Sequence, residues 1–368
     1  MSCLRCERGH SSLSERREMT SGRMSKIAAA AVVILAAGLL LGGCSCVLTR
    51  IIDQASVTMR GLACANEMNQ KAGEGYDVRE ARAKWLQALD AYNQGDFARA
   101  DELIDETYAA MDDMEKVAER VYYESSGGLT VSGLLFRPPD GSGPWPTIIV
   151  NHAGFGTAGD FSDVALLIRD HGYLVFNPDF RGSGMSQGSH EGAKGEVDDV
   201  IAAIDYLESQ GLIEGERIGL YGQSHGAAVS VLAAERDPRI KAVVAEAGFY
   251  DAVGLYDYAK ASSDPTAQTL LNEFLPMVGG TPEQVPQEYA VRSALNYTDS
   301  MQAATLIIHG ELDPICPVDQ ARRLYDALLA GGKTVEIRLY PNEAHCVNDP
   351  AGRLEVWDLM FAWFEEYV

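Results

Sequence analysis

A serine, an aspartate and a histidine, each just beyond an apolar run, supply residue types for nucleophilic chemistry. Ser224 lies in Gly222-Gln-Ser-His-Gly226, after Ile218–Tyr221 and before the helix-like stretch from Ala227. A glycine–x–serine–x–glycine motif between a strand and a helix is the setting of a nucleophile elbow. The turn is so sharp that the serine takes a strained backbone conformation. Its neighbours two positions away must lack side chains, hence Gly222 and Gly226. The hydroxyl then projects above the sheet, and the helix N-terminus beneath it favours developing negative charge.

Two further sites complete the set. Asp313 follows the apolar run in "IIHGELDPICP", and His345 follows the strand-like run in "EIRLYPNEAHCVN". The order serine, acid, histidine is the order used on sheets of this kind. A serine hydroxyl is a weak nucleophile and needs a base. An imidazole removes the proton and returns it to the leaving group. A carboxylate holds that imidazole in the right tautomer. Glu311 is the competing acid, nearer the strand end. His225 is a poor base despite its position, because adjacent residues do not share an in-line geometry. Its expected roles are to donate its backbone N–H to an oxyanion and to line the pocket. The loop "NHAGFG" supplies the other donor from Ala153, Gly154 or Phe155. His152 shapes that loop. His309 packs at a strand end and His171 at a helix end, while His10 and His190 sit in loops. None has the spacing of a ligand set, so no metal and no cofactor is expected.

These residues need a scaffold that brings strand ends together. From Val121 the chain alternates apolar strands with amphipathic helices: "PTIIVNHAG", "FSDVALLIRDHG", "YLVFNPDF", "EVDDVIAAIDYLESQG", "RIGLYG", "IKAVVAEAG", "AATLIIHG" and onward to a last helix at "GRLEVWDLMFAWFEEY". This is the pattern of an α/β protein, a mostly parallel sheet with helices on both faces. "VYYESSGGLTVSGLLFRP" reads as a β-hairpin at its start. Residues 249–302 interrupt the alternation with a stretch rich in Tyr, Pro and Gly, read as a lid or substrate wall. Residues 66–120 read as a small helical hairpin broken at "NQGD". Its second half resembles one tetratricopeptide unit, which cannot bury its own apolar face.

The N-terminus has the shape of a targeting signal. Lys26 precedes an uncharged run of 15 residues, Ile27 to Leu41, followed by small residues and Cys44. The run falls short of the ~20 residues that span a bilayer. Residues 24–46 are therefore read as a signal or lipoprotein anchor, and "LLGGC" resembles the lipobox whose cysteine is lipidated after cleavage. An uncleaved membrane anchor and a plain secreted protein remain open. Residues 1–23 are either disordered or precede the true start. The expected location is exported and membrane-held. The chain carries 53 acidic against 30 basic residues, a net charge of −23, which excludes nucleic acid as a partner.

The span from Val121 onward resembles an α/β-hydrolase, and more closely the catalytic domain of the prolyl oligopeptidase family, including its acylaminoacyl-peptidase and dipeptidyl-aminopeptidase branches. The resemblance rests on "GQSHG", "NPDFRGSGMSQG", "GGTPEQVPQEYAVRSALNY" and "LIIHGELDPICPVDQARRLYDALLAGGKTVEIRLYPNEAH". It implies Ser224 as nucleophile, Asp313 as orienting acid and His345 as base. It departs from the family in having no long propeller repeat, in His225 where an aromatic residue is usual, and in Cys346 where glycine is common. The implied activity is hydrolysis of a small ester or a short peptide. The alternative is an inactive scaffold that serves as an envelope binding protein. Because Asp313 and His345 must touch, Cys316 and Cys346 lie near each other, and in an oxidising compartment a disulfide between them is expected.

Overall fold

A computed structural model describes residues 45–139 and 141–368, with side chains from residue 54 onward. The segment before residue 24, the apolar run and Cys44 lie outside the described residues. The chain divides into two compact units.

The first unit takes the described residues up to Cys64 together with Lys84–Glu106. It is built from parts of three helices: α1 (Ser45–Gly73), α2 (Arg79–Asn93) and α3 (Phe97–Asp112). Gly95, at φ 82, makes the turn at "NQGD". Val57 on α1, Ala88 on α2 and Ala100, Leu103 and Ile104 on α3 form its buried seam. Arg60 on α1 binds Asp101 and Asp105 on α3, and the Trp85 indole donates to Gly61 O at 3.3 Å. The hairpin expected over 66–120 is thus α2 and α3 only. Residues 66–73 are instead the end of α1, which supplies the apolar partner the hairpin lacked. The start of α1 follows directly on the apolar N-terminal segment, which hides its helical period in the sequence.

The second unit comprises Ala65–Ala83 and Thr107–Val368. Its strands are β1 (Glu119–Ser125), β2 (Leu129–Phe136), β3 (Trp145–Asn151), β4 (Leu174–Asp179), β5 (Ile213–Gln223), β6 (Ile240–Glu246), β7 (Ala304–Gly310) and β8 (Val335–Tyr340). They form one sheet in the order β1-β2-β4-β3-β5-β6-β7-β8. β1 and β2 pair antiparallel, as do β2 and β4, and the strands from β4 to β8 run parallel. The helices of this unit are α4 (Ser162–Arg169), α5 (Gly195–Ser209), α6 (His225–Arg236), α7 (Ala252–Ala261), α8 (Pro265–Val278), α9 (Pro286–Ala290), α10 (Val318–Ala330) and α11 (Pro350–Tyr367). Successive strand residues alternate between two cores. Leu220, Val243 and Ile307 meet α5, α6 and α10 on one face. Tyr221, Val244 and Ile308 meet α4 and α11 on the other. With both faces covered, β4, β6 and β7 are buried almost throughout, so they read as unbroken apolar runs.

The strand order reverses between β3 and β5, because β4 lies to one side of β3 and β5 to the other. Such a reversal opens a crevice at the carboxyl ends of the strands. The loop after β3 and the turn after β5 flank it.

Candidate active site

Ser224 stands between β5 and α6 with φ 53 and ψ −118, a conformation that non-glycine residues rarely hold. Both flanking glycines are forced by close approach. A Cβ on Gly226 would lie 2.1 Å from Asn151 O, and one on Gly222 would lie 2.3 Å from Gly226 O. Each clash involves backbone, which cannot swing away. The Ser224 N–H donates to Glu246 O at 2.8 Å, fixing the turn to the end of β6.

The three residues read from the sequence meet here. Ser224 Oγ lies 2.8 Å from His345 Nε2, and His345 Nδ1 lies 2.7 Å from Asp313 Oδ2. Asp313 Oδ1 accepts the amides of Ile315 and Cys316 at 2.8 and 2.9 Å. Burial opposes a charge on Asp313. The hydrogen bonds from His309 and His345 outweigh it and hold the carboxyl well below the usual carboxylate range. An ionised carboxylate only accepts, so His345 Nδ1 carries the ring proton and Nε2 is free to accept from Ser224. Glu311, the competing acid, is engaged by Arg322 instead.

His309 reaches further than its expected packing role at a strand end. Its Nε2 lies 2.8 Å from Cys316 O and 3.2 Å from Asp313 Oδ2, two acceptors, so that nitrogen carries the proton. Its spacing of four residues from Asp313, at the end of a buried strand, is the signal that could have found it.

The loop after β3 approaches the elbow at Gly154, whose Cβ position is 3.6 Å from His225 Cβ. His152 Nδ1 lies 2.7 Å from Ala153 O, and the Gly156 amide donates to the same oxygen. Phe155, at φ 59, is held in the left-handed region and is 56% exposed. The amide of His225 sits at the first helical position, where no intrahelical acceptor exists. The Ala153–Phe155 loop and the N-terminus of α6 thus lie side by side, with Gly154 against His225.

His225 turns its side chain away from Ser224. Its ring packs edge-on to Phe180 at 5.5 Å between centroids, and burial lowers its pKa to about 3, which keeps it neutral. The ring forms part of an apolar pocket whose other walls include Phe249, Leu270, Phe274 and Met277. Leu270, Phe274 and Met277 belong to α8, inside the 249–302 excursion. Arg292 closes the excursion by donating to Glu191 O at 2.9 Å and to Glu288 O at 2.6 Å, although it is only 2% exposed.

The expected Cys316–Cys346 disulfide is not formed, and both residues are free thiols. Cys316 is packed in the core that contains Tyr250. Cys346, at φ 64, has its electrostatic surroundings set first by burial and then by Glu246 and Arg353. Contact between Asp313 and His345 brought the loops together without bringing the two sulfur atoms into bonding position. Burial pushes both thiols up from their ordinary range.

Residues 160–368 match the model of the prolyl oligopeptidase family. The chain belongs to that family. A peptidase of Bacillus subtilis, named YtmA and otherwise uncharacterized, is 27% identical over 60% of this chain and 83% of its own length. Dipeptidyl-peptidase 5 of Porphyromonas gingivalis is 26% identical over 72% of this chain and 40% of its own. The chain thus spans about two fifths of the length of that larger relative. A puromycin-hydrolyzing peptidase of Mycobacterium tuberculosis superposes with a TM-score of 0.59 at 22% identity, over 68% of this chain and 39% of that one. An esterase of Pyrococcus furiosus superposes with a TM-score of 0.53 at 20% identity, over 68% and 90% respectively. The fold is that of the α/β-hydrolases, and the family's catalytic region is that of a serine hydrolase, peptidase or esterase.

Proposed function

We propose that the protein hydrolyses a small carboxylic ester or a short-peptide amide through an acyl-enzyme on Ser224. The observation that carries this reading is the unbroken hydrogen-bonded line from Ser224 Oγ through His345 to Asp313, with both contacts under 3 Å. In the first step Ser224 Oγ attacks the carbonyl carbon while His345 Nε2 takes the hydroxyl proton. Asp313 stabilises the resulting imidazolium. The carbonyl oxygen becomes an oxyanion and accepts from the His225 amide and from an amide of the 153–155 loop, each such donor being worth about 2.7–4 kcal/mol. His345 then protonates the departing alcohol or amine. Water, deprotonated by the same nitrogen, attacks the acyl-enzyme and restores the serine. The apolar walls beside His225 suit an uncharged, apolar group on the substrate, because they offer a buried anion or cation no counter-charge.

The sequence further supports a protein exported and held at a membrane through residues 24–46, with Cys44 as the lipidated residue.

The test of the reaction is covalent labelling with a fluorophosphonate, beside turnover of p-nitrophenyl esters and aminoacyl anilides. Wild-type protein should label and turn over, and Ser224→Ala should do neither, with losses of about 10⁶-fold in turnover. Wild-type protein that resists the probe, or a Ser224→Ala variant that retains turnover, overturns the reading.

A further inference from the structure

Glu246 ends β6 directly after the buried apolar run Ala242–Ala245, and it is itself fully buried. A carboxylate in such a place needs every lone pair engaged. It has them. Oε1 accepts the Val347 amide at 2.9 Å and an Arg353 N–H at 2.6 Å. Oε2 accepts from the Tyr221 hydroxyl, the Gln223 side-chain amide and Arg353, all at 2.9 Å.

These partners fall into two groups. Tyr221 and Gln223 belong to the strand end that presents Ser224, and the Glu246 backbone oxygen accepts the Ser224 amide itself at 2.8 Å. Val347 lies two residues beyond His345. Arg353, at the start of α11, binds the Glu246 carboxylate and also donates its Nε to Val347 O at 2.9 Å. Both polar atoms of the Val347 backbone are thereby fixed. Between His345 and Val347 stands Cys346 at φ 64, a strained conformation that persists only where its surroundings impose it. The clamp on Val347 holds one side of it, and the Asn348 side-chain amide donates to Cys346 O at 3.2 Å.

From this arrangement we infer that Glu246 and Arg353 are positioning residues for catalysis: one ion pair, with its carboxylate buried and its guanidinium partly so, sets the nucleophile's turn and the base's loop against each other. Neither side chain contacts Ser224 Oγ or the His345 ring. They act by holding the two backbones that determine the 2.8 Å contact between Oγ and Nε2. A buried ion pair is poor evidence of added stability, whereas a fully satisfied polar network specifies one geometry. Displacement of a catalytic group by about 1 Å costs roughly 10²-fold in rate.

The inference rests on Ser224 and His345 being the reacting pair, and the experiment separates the two ideas. Arg353→Lys keeps the charge balance around Glu246 but cannot hold Glu246 and Val347 O together as the guanidinium does. The double variant E246Q/R353M removes both charges, so no ion is left buried without a partner. Thermal melting first establishes that each variant is folded, and kcat and KM are then measured on a p-nitrophenyl ester alongside the fluorophosphonate labelling rate. The expected result for R353K is a fall in kcat of about tenfold, with KM within about threefold of wild type. For the double variant the fall is about 10²-fold, again at nearly unchanged KM, and labelling slows in parallel. A folded R353K protein with wild-type kcat overturns the inference, as does a loss confined to KM. An unfolded double variant leaves R353K to decide the matter. Wild-type protein that neither labels nor turns over would instead strike at the Ser224 assignment.

Discussion

Replacing Asp313 by asparagine tests how the acid works, and the surrounding donors dictate the outcome. Oδ1 of Asp313 faces two backbone N–H groups, those of Ile315 and Cys316. An asparagine must keep its carbonyl oxygen there, since an amide NH₂ would point donors at donors. Its NH₂ is then forced into the Oδ2 position, 2.7 Å from His345 Nδ1 and 3.2 Å from His309 Nε2. His345 relieves the clash by moving its proton to Nε2, the nitrogen that must accept from Ser224. The base is then blocked in the resting enzyme although no atom near the serine has been removed. Where a triad histidine is held in the wrong tautomer, kcat falls about 10⁴-fold, or about 5.5 kcal/mol of barrier. KM should change little, because the pocket walls are untouched. The assay is steady-state hydrolysis of a p-nitrophenyl ester with the acylation burst recorded at neutral pH, on protein shown by melting to be folded. A folded Asp313→Asn variant within tenfold of wild-type kcat would refute the tautomer argument, and a loss carried by KM alone would place Asp313 in substrate binding.

Two further outcomes are expected. Glu235 is 6% exposed, neither carboxyl oxygen has a partner among the described residues, and burial raises its pKa from 4.5 to about 9. The folded state therefore holds a proton that the unfolded chain releases, and stability falls by about 1.4 kcal/mol per pH unit above that lower value. Glu235→Gln should be more stable than wild type by up to about 3 kcal/mol at pH 7 and by almost nothing near pH 4.5. Urea melts at the two pH values check this, and a difference that does not change with pH rules it out. For the proposed anchor, Cys44→Ser should abolish incorporation of labelled fatty acid and shift the protein from the membrane to the soluble fraction. Wild-type protein that is unlabelled and soluble sinks that proposal.

Much of the site was legible in the sequence because the chemistry is tied to strand ends. Ser224, Asp313 and His345 each follow an apolar run, and a parallel sheet gathers the ends of its strands at one edge whatever the intervening lengths. The flanking glycines of the elbow were equally readable, since only glycine tolerates the approach of Asn151 O and the fold of the turn. Some features were not legible. Helix α1 of the N-terminal unit was hidden by the apolar segment that precedes it. His309 read as packing, because its four-residue spacing from Asp313 becomes a contact only through the turn after β7, whose conformation the local pattern does not set. Glu246 went unnoticed, although a carboxylate at the end of "IKAVVAE" was an anomaly that called for a partner.

By itself, the order of residue types determined the sheet, the elbow and the three groups that converge on it, because periodicity and backbone sterics act within short stretches. Tertiary structure alone decided what depends on distances between remote segments. It set which acid faces His345, with Glu311 drawn to Arg322 and Asp313 to the imidazole. It placed α8 as the wall of the pocket beside His225. It left Cys316 and Cys346 unbonded, since adjacent loops do not guarantee that two sulfur atoms fall within bonding geometry. It also brought Arg353 from the last helix onto Glu246, an ion pair between residues 107 apart in sequence that no local pattern encodes.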